Sequence, residues 1–422
     1  MASPLSNIKQ FIARPIPFLH QQFLQQGNLA SVSMGHKKFF IVTEPNLVKT
    51  ILTDENYQKC RMVFDKIRPI TGKHGIVQLE GQAWEKIHAI TQPNFYRLAL
   101  ESYLPFFEKN IEYLKTTKLN DQIDCFDVMT HYALGSIMNI TLGPNNISNT
   151  ENITNHFIAL NQQCGKKLRS IFDFPLWLPT PTNNLIKKHR KRLLDAVKKQ
   201  CALMDGQIPC PFYSSLTRLN SNHLILDQIT TFLFAGFETT AASLAFTFYL
   251  LSKHQTVQAK VYQEVQQVLH STSAITLPAL KSLTYTQAVY QESLRLYPPA
   301  WILAREVKET TVLDKQIIKP GNIVLINIRD LHRHPDFWPK PNKFYPERFI
   351  NNSTAHKYAY IPFGMGKRIC SGYQLAMIEA IYVISKLVLD FQFELKEYGR
   401  LRTQAMVTQH PKDTIKLLIR KR

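Results

Sequence analysis

The ten residues from Phe363 to Gly372 read Phe-Gly-Met-Gly-Lys-Arg-Ile-Cys-Ser-Gly, and Cys370 is the residue among them best suited to bind a metal. Glycine reaches backbone angles that side chains forbid and lets a flat ligand approach the backbone closely. The apolar segment from about Tyr373 to Leu389 predicts a helix that begins just after the cysteine. Free N–H groups and the dipole at a helix N-terminus favour a thiolate, which is a metal ligand. The alternative is an inert cysteine buried in a tight turn.

A second stretch, Ala-Gly-Phe-Glu-Thr-Thr from Ala235 to Thr240, places polar side chains inside an apolar segment. That segment predicts a buried helix from about Asn222 to Lys253. Polar groups and glycine inside a buried helix cost stability, and threonine hydroxyls can bond back to helix carbonyls and distort the helix. Glu238 and Thr239 are therefore either a polar cluster at a kink or an acid–alcohol pair that lines a cavity over a cofactor.

Three further patterns could position or bind a charged group. Trp84 and His88 are four residues apart and share one face of a predicted helix, either as core neighbours or as donors to a ligand. Glu292 and Arg295 are three apart, which on a surface would give an ion pair worth at most about 1 kcal/mol. Arg305 opens a predicted strand region and could be only an exposed strand charge.

Read together, these motifs resemble the cytochrome P450 family. The spacing Phe-x-x-Gly-x-Arg-x-Cys-x-Gly in residues 363–372 fixes five positions and is similar to the haem-thiolate signature of that family. Trp84/His88, residues 235–240, Glu292/Arg295 and residues 346–349 precede it in the family's order. The resemblance covers essentially the whole chain. It implies a single mainly α-helical domain, residues 1–422, with small β regions (α+β), shaped like a triangular prism around a buried haem b.

The resemblance also implies roles for individual residues. Cys370 is expected to be the axial ligand of the haem iron, and Thr239 with Glu238 to deliver protons to bound oxygen where the helix bulges. Arg348 is expected to join Glu292 and Arg295 in a structural triad that holds the cysteine loop. The family usually has arginine at the position of His88. The residues expected to contact the haem are Trp84, His88, Ala235, Gly236, Arg305, Phe363, Gly364, Gly366, Arg368, Cys370 and Gly372.

The activity implied is that of a monooxygenase which uses O2 to hydroxylate a hydrophobic small molecule, such as a fatty acid or terpenoid. No reductase domain is expected within the chain. Electrons would come from an acidic ferredoxin or flavodoxin with its NAD(P)H reductase, docked near Lys86, Lys357 and Lys367. Three alternatives remain: a peroxygenase of the same fold, whose members usually lose the acid–alcohol pair, a non-catalytic haem-binding or sensor protein, and a basic binding protein without haem.

Composition sets the remaining bounds. The 51 basic and 31 acidic residues give a net charge of +20, which favours an acidic partner, while no motif favours nucleic acid. The six cysteines are scattered without a CxxC pair, as in a reducing compartment. There is no N-terminal signal, and the apolar run Thr239–Ser252 is too short to span a bilayer. We therefore expect a cytoplasmic monomer without a membrane anchor. The role of the basic run 187–192 stays open.

The other predicted elements frame these motifs. Residues 63–81 predict a long loop with at most one short helix, which in the P450 family caps the substrate pocket, and Phe172–Pro181 predicts an apolar lid or anchor. The tip of a C-terminal hairpin, residues 405–407, is expected in the same pocket. Helices are predicted at 45–52, 103–117, 128–142 and 186–203, and strands at 31–34, 39–42, 305–312, 316–318, 323–327, 391–395 and 414–419.

Overall fold

The computed structural model describes residues 3–143, 147–168, 170, 174–204, 210–269, 275–350, 356–397, 399, 401–405 and 407–422. Within them the longer helices are α1 (Pro4–Ala13), α2 (Pro15–Gln26), α3 (Pro45–Thr53), α4 (Arg61–Thr71), α5 (Gly81–Thr91), α6 (Arg97–Thr117), α7 (Cys125–Leu142), α8 (Ile147–Leu168), α9 (Pro181–Met204), α10 (Pro211–Thr217), α11 (Asn222–Lys253), α12 (Gln255–Leu269), α13 (Leu277–Ser282), α14 (Thr284–Leu296) and α17 (Tyr373–Asp390). Two single-turn helices, α15 (Ile328–Leu331) and α16 (Glu347–Ile350), lie between α14 and α17.

Twelve short strands form four small sheets in the described residues. They are β1 (Leu29–Met34), β2 (Lys37–Val42), β3 (Tyr57–Lys59), β4 (Gln122–Asp124), β5 (Leu303–Val307), β6 (Thr311–Leu313), β7 (Gln316–Ile318), β8 (Ile323–Ile326), β9 (Phe391–Leu395), β10 (Thr403–Ala405), β11 (Gln409–Pro411) and β12 (Lys416–Lys421). The largest sheet has the order β1-β2-β8-β5-β3 and pairs Lys59 with Arg305. The mainly helical fold with small β regions is confirmed.

The central helix α11 has the predicted bounds and contacts α7, α4, α14 and α17. Among the described residues it is the one helix long and apolar enough to cross a membrane, and 83% of its apolar window is buried inside the protein. Its apolar side chains belong to the largest hydrophobic cluster, which also takes in α6, α7 and α17. A buried helix with apolar residues on every side is expected at the centre of a large core.

The predicted loop 63–81 contains one helix, in keeping with the expectation of at most one short helix. Residues 61–71 form helix α4, because Ile67 and Ile70 bury one face and Gly72, at φ +72°, ends the helix, and residues 72–80 are irregular. The N-terminus forms α1 and α2, which were not predicted, since Pro4 and Pro15 both stand at the first helical position, where a missing N–H costs nothing. The predicted strand 305–312 is divided between β5 and β6, and the remaining predicted helices and strands are present with ends that differ by a few residues.

Candidate active site

The cysteine loop is a tight turn that only glycine permits at two positions. Gly364 and Gly366 both have φ +73°, and a Cβ on Gly366 would lie 2.4 Å from the carbonyl oxygen of Leu52 in α3. The loop closes on itself because the Cys370 N–H donates to the Phe363 carbonyl at 2.9 Å. Gly372 is the N-cap residue of α17. These constraints fix the position of the cysteine sulfur relative to the rest of the core.

Cys370 is the exposed one of the six cysteines, all of which lie in the described residues. Protein nevertheless surrounds it, since burial raises the pKa of its thiol while the Gly372 N–H acts in the opposite direction. In the protein alone, burial acts against the effect of the helix N-terminus, and the thiolate form of Cys370 stays a prediction. A bound metal ion would remove the proton.

Glu292, Arg295 and Arg348 form a buried ionic cluster. Arg295 donates from Nε and Nη2 to the two Glu292 carboxylate oxygens at 2.7 and 2.8 Å, and Arg348 Nε donates to Oε1 at 3.1 Å. The side chains of Glu292 and Arg295 are fully buried, which excludes the surface ion pair. Arg295 also donates to the carbonyls of His332, Pro341 and Lys343 in the segment that leads to the cysteine loop. The predicted pairing of Glu292, Arg295 and Arg348 is confirmed, and their role in holding the cysteine loop stays a prediction.

Arg368, Trp84 and His88 form a stacked column beside the loop. The Arg368 guanidinium lies 4.1 Å from the Trp84 ring centroid on one face, and the His88 ring stacks on Trp84 at 4.4 Å. Arg368 Nη2 donates to the Glu80 carboxylate, whereas its Nη1 is buried without a hydrogen-bond partner. Burial and the charge of Arg368 lower the pKa of His88, and a hydrogen bond with Gln92 only partly offsets them.

Two more cations complete this group. Arg305 in β5 is 9% exposed and donates from Nη1 to the Ala304 carbonyl at 3.1 Å. Lys59 pairs with Arg305 across the β3–β5 ladder. The charge of Arg368 lowers the pKa of both groups, and the charge of Glu80 raises it. We call Lys59, Arg305, Arg368 and Glu80 the cationic cluster. Lys59 and Glu80 were not predicted as site residues, because neither belongs to a motif and Glu80 meets Arg368 across 288 residues.

The residues present fit a haem. Three cations face a single carboxylate, and Arg368 keeps one buried N–H group without a partner, so the cluster can accept additional anionic oxygens. Haem supplies two carboxylates together with an iron that binds a cysteine sulfur. An exposed cysteine and a neighbouring excess of positive charge are the donor set that such a group requires.

The α11 segment divides its residues between two faces. Ala235 is exposed and Thr239, one turn later, is half-buried, and the Thr239 hydroxyl donates to the Ala235 carbonyl at 2.8 Å. Gly236 is needed for packing on α7, because a Cβ there would lie 2.8 Å from the Ile137 side chain. Its contact with a cofactor stays a prediction. All residues from Asn222 to Lys253 are α-helical, so the bulge implied by the resemblance is absent from α11.

Glu238 points away from the open face of α11. It is 5% exposed, and its Oε1 accepts a hydrogen bond from Asn161 of α8 at 3.2 Å, while Oε2 makes none. Burial raises the pKa of Glu238, and the side chains of Thr408 and Asn161 only partly offset it. The structure therefore places the acid and the alcohol on adjacent faces rather than side by side. Nothing in the sequence around Asn161 indicated this contact.

Tyr290 of α14 is hydrogen-bonded to the central helix, since its hydroxyl and the Ser243 hydroxyl are 2.9 Å apart. Ser243 is one turn beyond Thr239 on α11. Phe363, at the start of the cysteine loop, packs against Tyr373 of α17 with ring centroids 6.2 Å apart. The cysteine loop is thus packed against the helix that follows it.

Two predicted pocket segments fall partly outside the described residues. In the predicted lid, residues 172 and 173 are not described, whereas Phe174 and Trp177 are 49% and 75% exposed. In the hairpin tip, residue 406 is not described, and β10 pairs with β11 beside it. Their predicted places at the substrate pocket stay predictions.

Fold, thiol and cationic cluster together define a haem-thiolate protein. The family model described as Cytochrome P450 matches residues 5–417, and the chain belongs to this family. It is 27% identical to Cytochrome P450 3A29 of Sus scrofa over 94% of this chain and 86% of that protein. It is 28% identical to cyclooctat-9-en-7-ol 5-monooxygenase of Streptomyces melanosporofaciens over 89% of this chain and 84% of that protein. The protein is a P450 monooxygenase whose cofactor is protoporphyrin IX haem.

Proposed function

We propose that this monooxygenase hydroxylates a hydrophobic small molecule, such as a fatty acid or terpenoid, with electrons from separate redox proteins. The observation that carries the proposal is the composition of α11 near Thr239. Ala235 gives the exposed face a small apolar residue, and Phe237 packs edge-on against Phe157 of α8 at 5.1 Å. The name of the Streptomyces relative states a monooxygenation of a cyclic alcohol, which supports an apolar substrate for this chain as well.

The chain's own residues would divide the work as follows. Cys370 would hold the iron, while Arg305 and Arg368, with Trp84 and His88 behind them, would hold the haem carboxylates. When bound, the thiolate-ligated haem activates O2 with two electrons and transfers one oxygen atom to the substrate. Thr239 must release the Ala235 carbonyl before its hydroxyl can serve another acceptor. Glu238 keeps a proton nearer to neutral pH than an exposed glutamate does, and Oε2 is free to pass it on.

The first test is spectroscopic. Reduced protein with carbon monoxide should give the strongly red-shifted Soret band of a thiolate haem, and Cys370→Ser should abolish it. A screen of fatty acids, terpenoids, sterols and aromatic compounds by spectral shift would then identify the substrate class. Product formation with peroxide alone, without reductase, would favour a peroxygenase. Haem binding without substrate-dependent consumption of NAD(P)H would favour a sensor.

Thr239→Ala tests the proton-delivery assignment. The variant should consume NAD(P)H at a comparable rate but release peroxide in place of product, since a hydroxyl that delivers protons is missing. Product and peroxide are quantified per NAD(P)H consumed. Thr230→Ala is a control, because Thr230 also lies on α11 with its hydroxyl bonded to the carbonyl of Leu226, one turn back, at 2.9 Å. Unchanged coupling in Thr239→Ala would remove Thr239 from the mechanism.

We further propose that an acidic ferredoxin or flavodoxin docks on the basic surface near the cysteine loop. Lys86, Lys357 and Lys367 are exposed, and the structure adds Lys49, which lies with Lys357 over the Tyr358 ring. Opposite charges on two proteins raise their association rate, and salt screens this attraction. Turnover should therefore fall as ionic strength rises, and turnover insensitive to salt would overturn the docking site. No disulfide joins the six cysteines, all of which lie in the described residues, and this supports a reducing compartment such as the cytoplasm.

A further inference from the structure

Lys59, at the end of β3, makes an unusual set of hydrogen bonds. Its Nζ donates to the carbonyls of Val77 and Leu79 at 2.8 and 2.9 Å, and to that of Ile76 at 3.4 Å. All three carbonyls belong to the segment between α4 and α5, which ends at Glu80. The other end of this segment is bound to α11, where Gln228 Oε1 accepts from the Ile76 N–H at 2.9 Å. Lys59 is thus a second attachment point of the segment.

Three carbonyl acceptors around one nitrogen require three N–H donors. A charged ammonium has three, whereas a neutral amine has two N–H groups and a lone pair that would face a carbonyl oxygen. The geometry at Lys59 therefore exists only in the charged state. Losing the proton would remove one hydrogen bond and weaken the other two, because charge-assisted bonds are roughly twice as strong as neutral ones.

The surroundings work against that charge. Lys59 is half-buried, although its Nζ lies 5.4 Å from the centroid of the Phe64 ring of α4, a contact that favours the charged form. The charged groups that act on it are Arg368 from the cysteine loop, Arg305 from β5 and Glu80 from its own hydrogen-bonded segment. Burial and the two arginines lower the pKa of Lys59 to about 7, and Glu80 only partly offsets them. The charge of Lys59 therefore depends on the other charges in the cationic cluster.

We propose that Lys59 is a latch linked to the haem: the haem carboxylates at Arg305 and Arg368 keep the Lys59 ammonium charged, and the ammonium fastens residues 76–79. The proposal rests on the placement of the haem carboxylates at this cluster. Two added negative charges turn an excess of cations into a near balance, so haem binding takes up a proton at Lys59. Haem loading and closure of the segment between α4 and α5 become one event.

The sign of the pH dependence follows from this linkage. A group whose pKa is higher in the haem-bound protein strengthens haem binding at any pH below its pKa in the haem-free protein. This gain in haem affinity disappears as the pH rises through the pKa of the group in the haem-bound protein. Haem affinity should therefore decline above pH 7. Each unit by which the carboxylates raise the pKa corresponds to about a tenfold change in affinity.

The experiment measures haem transfer from the ferric holoprotein to excess apomyoglobin between pH 6 and pH 10. At pH 6, Lys59→Met should lose haem about tenfold faster than the wild type, and the difference should shrink as pH rises. Lys59→Arg, which stays charged, should hold haem with no matching step. Hydrogen exchange of residues 76–79 in the holoprotein should be faster in Lys59→Met. Lys73→Met, at an exposed lysine seven residues before Glu80, should match the wild type throughout.

Several outcomes would overturn the latch. One is that Lys59→Met loses haem at pH 6 as slowly as the wild type and shows unchanged hydrogen exchange at residues 76–79. That result would show that Lys59 neither retains haem nor fastens residues 76–79. Should Lys59→Met not fold, a pH step in Lys59→Arg identical to that of the wild type would assign the step to another group. If the latch fails while Arg305→Met still loses haem faster, only the role of Lys59 is lost. If Arg305→Met and Arg368→Met also keep their haem, the carboxylate site itself is misplaced.

Discussion

Two ionic clusters of similar composition flank the cysteine loop and differ in their balance of charge. The buried ionic cluster sets two arginines against Glu292, and backbone carbonyls take further Arg295 N–H groups at 2.7–3.2 Å. The cationic cluster sets three cations against Glu80, whose side chain is 48% exposed, and leaves a buried Arg368 N–H without a partner. The first cluster is satisfied within the chain and serves the fold. The second has positive charge to spare and suits an anionic ligand.

Breaking the buried ionic cluster should have the largest effect. Glu292→Gln leaves Arg295 and Arg348 buried without their counter-charge, which typically costs about 3–5 kcal/mol of stability. Urea denaturation should show this loss, and the yield of holoprotein should fall with it. Glu112→Gln is the matched control, since Glu112 and Lys115 have the same three-residue spacing on a helix but Glu112 is exposed. That change should cost less than about 1 kcal/mol. Equal losses would contradict the distinction between the clusters.

Glu379 on α17 shows what happens to a buried acid that has no cation. Burial raises the pKa of this carboxyl to about 7, although Ser136 and Tyr132 lower it. The folded state therefore holds a proton that the unfolded chain has lost, and stability declines as pH rises from about 4.5 to 7. Relative to Glu379→Gln, the wild type should lose about 3 kcal/mol across this window. Parallel unfolding curves for the two proteins from pH 5 to pH 8 would show that Glu379 does not titrate there.

Breaking the cationic cluster should separate cofactor binding from folding. Arg305→Met removes one of three like charges, so the stability of the haem-free protein should be unchanged or higher. Haem affinity should fall, because hydrogen bonds to charged groups contribute about 1.5–3 kcal/mol, or roughly 10- to 150-fold. Haem transfer rates and urea denaturation of the haem-free protein measure the two quantities. If the haem-free Arg305→Met variant were destabilised as strongly as Glu292→Gln, Arg305 would serve the fold rather than the cofactor.

The same contrast explains what could be predicted from sequence. Glu292, Arg295 and Arg348 were predicted because they stand in recognisable motifs, and the structure confirms their pairing. Lys59 stands in no motif, and its partners become visible only when β3 pairs with β5. Helix α4 was predicted only as at most one short helix in a loop, because Gly72, Gly75 and Gly81 suggested irregular chain, whereas burial of Ile67 and Ile70 decides its conformation. Side-chain direction was the other limit, since helical spacing could not tell that Glu238 turns towards α8.

Substitution of Asn161 should have the smallest effect of these changes, and the effect should be confined to the coupling of NAD(P)H consumption to product formation. Asn161 and Thr408 are the two neutral side chains that lower the pKa of Glu238, so Asn161→Leu should leave the fold intact and raise the pKa of Glu238 further. A neutral hydrogen bond contributes about 1 kcal/mol, so product per NAD(P)H should fall about fivefold. The solvent isotope effect on turnover should rise, because the acid then gives up its proton less readily. Asn139→Leu is the control, since Asn139 is equally buried and donates to Asn110 at the same 3.2 Å. If both variants lose coupling alike, the effect comes from packing. Glu238 would then be a buried acid that serves the fold and delivers no proton.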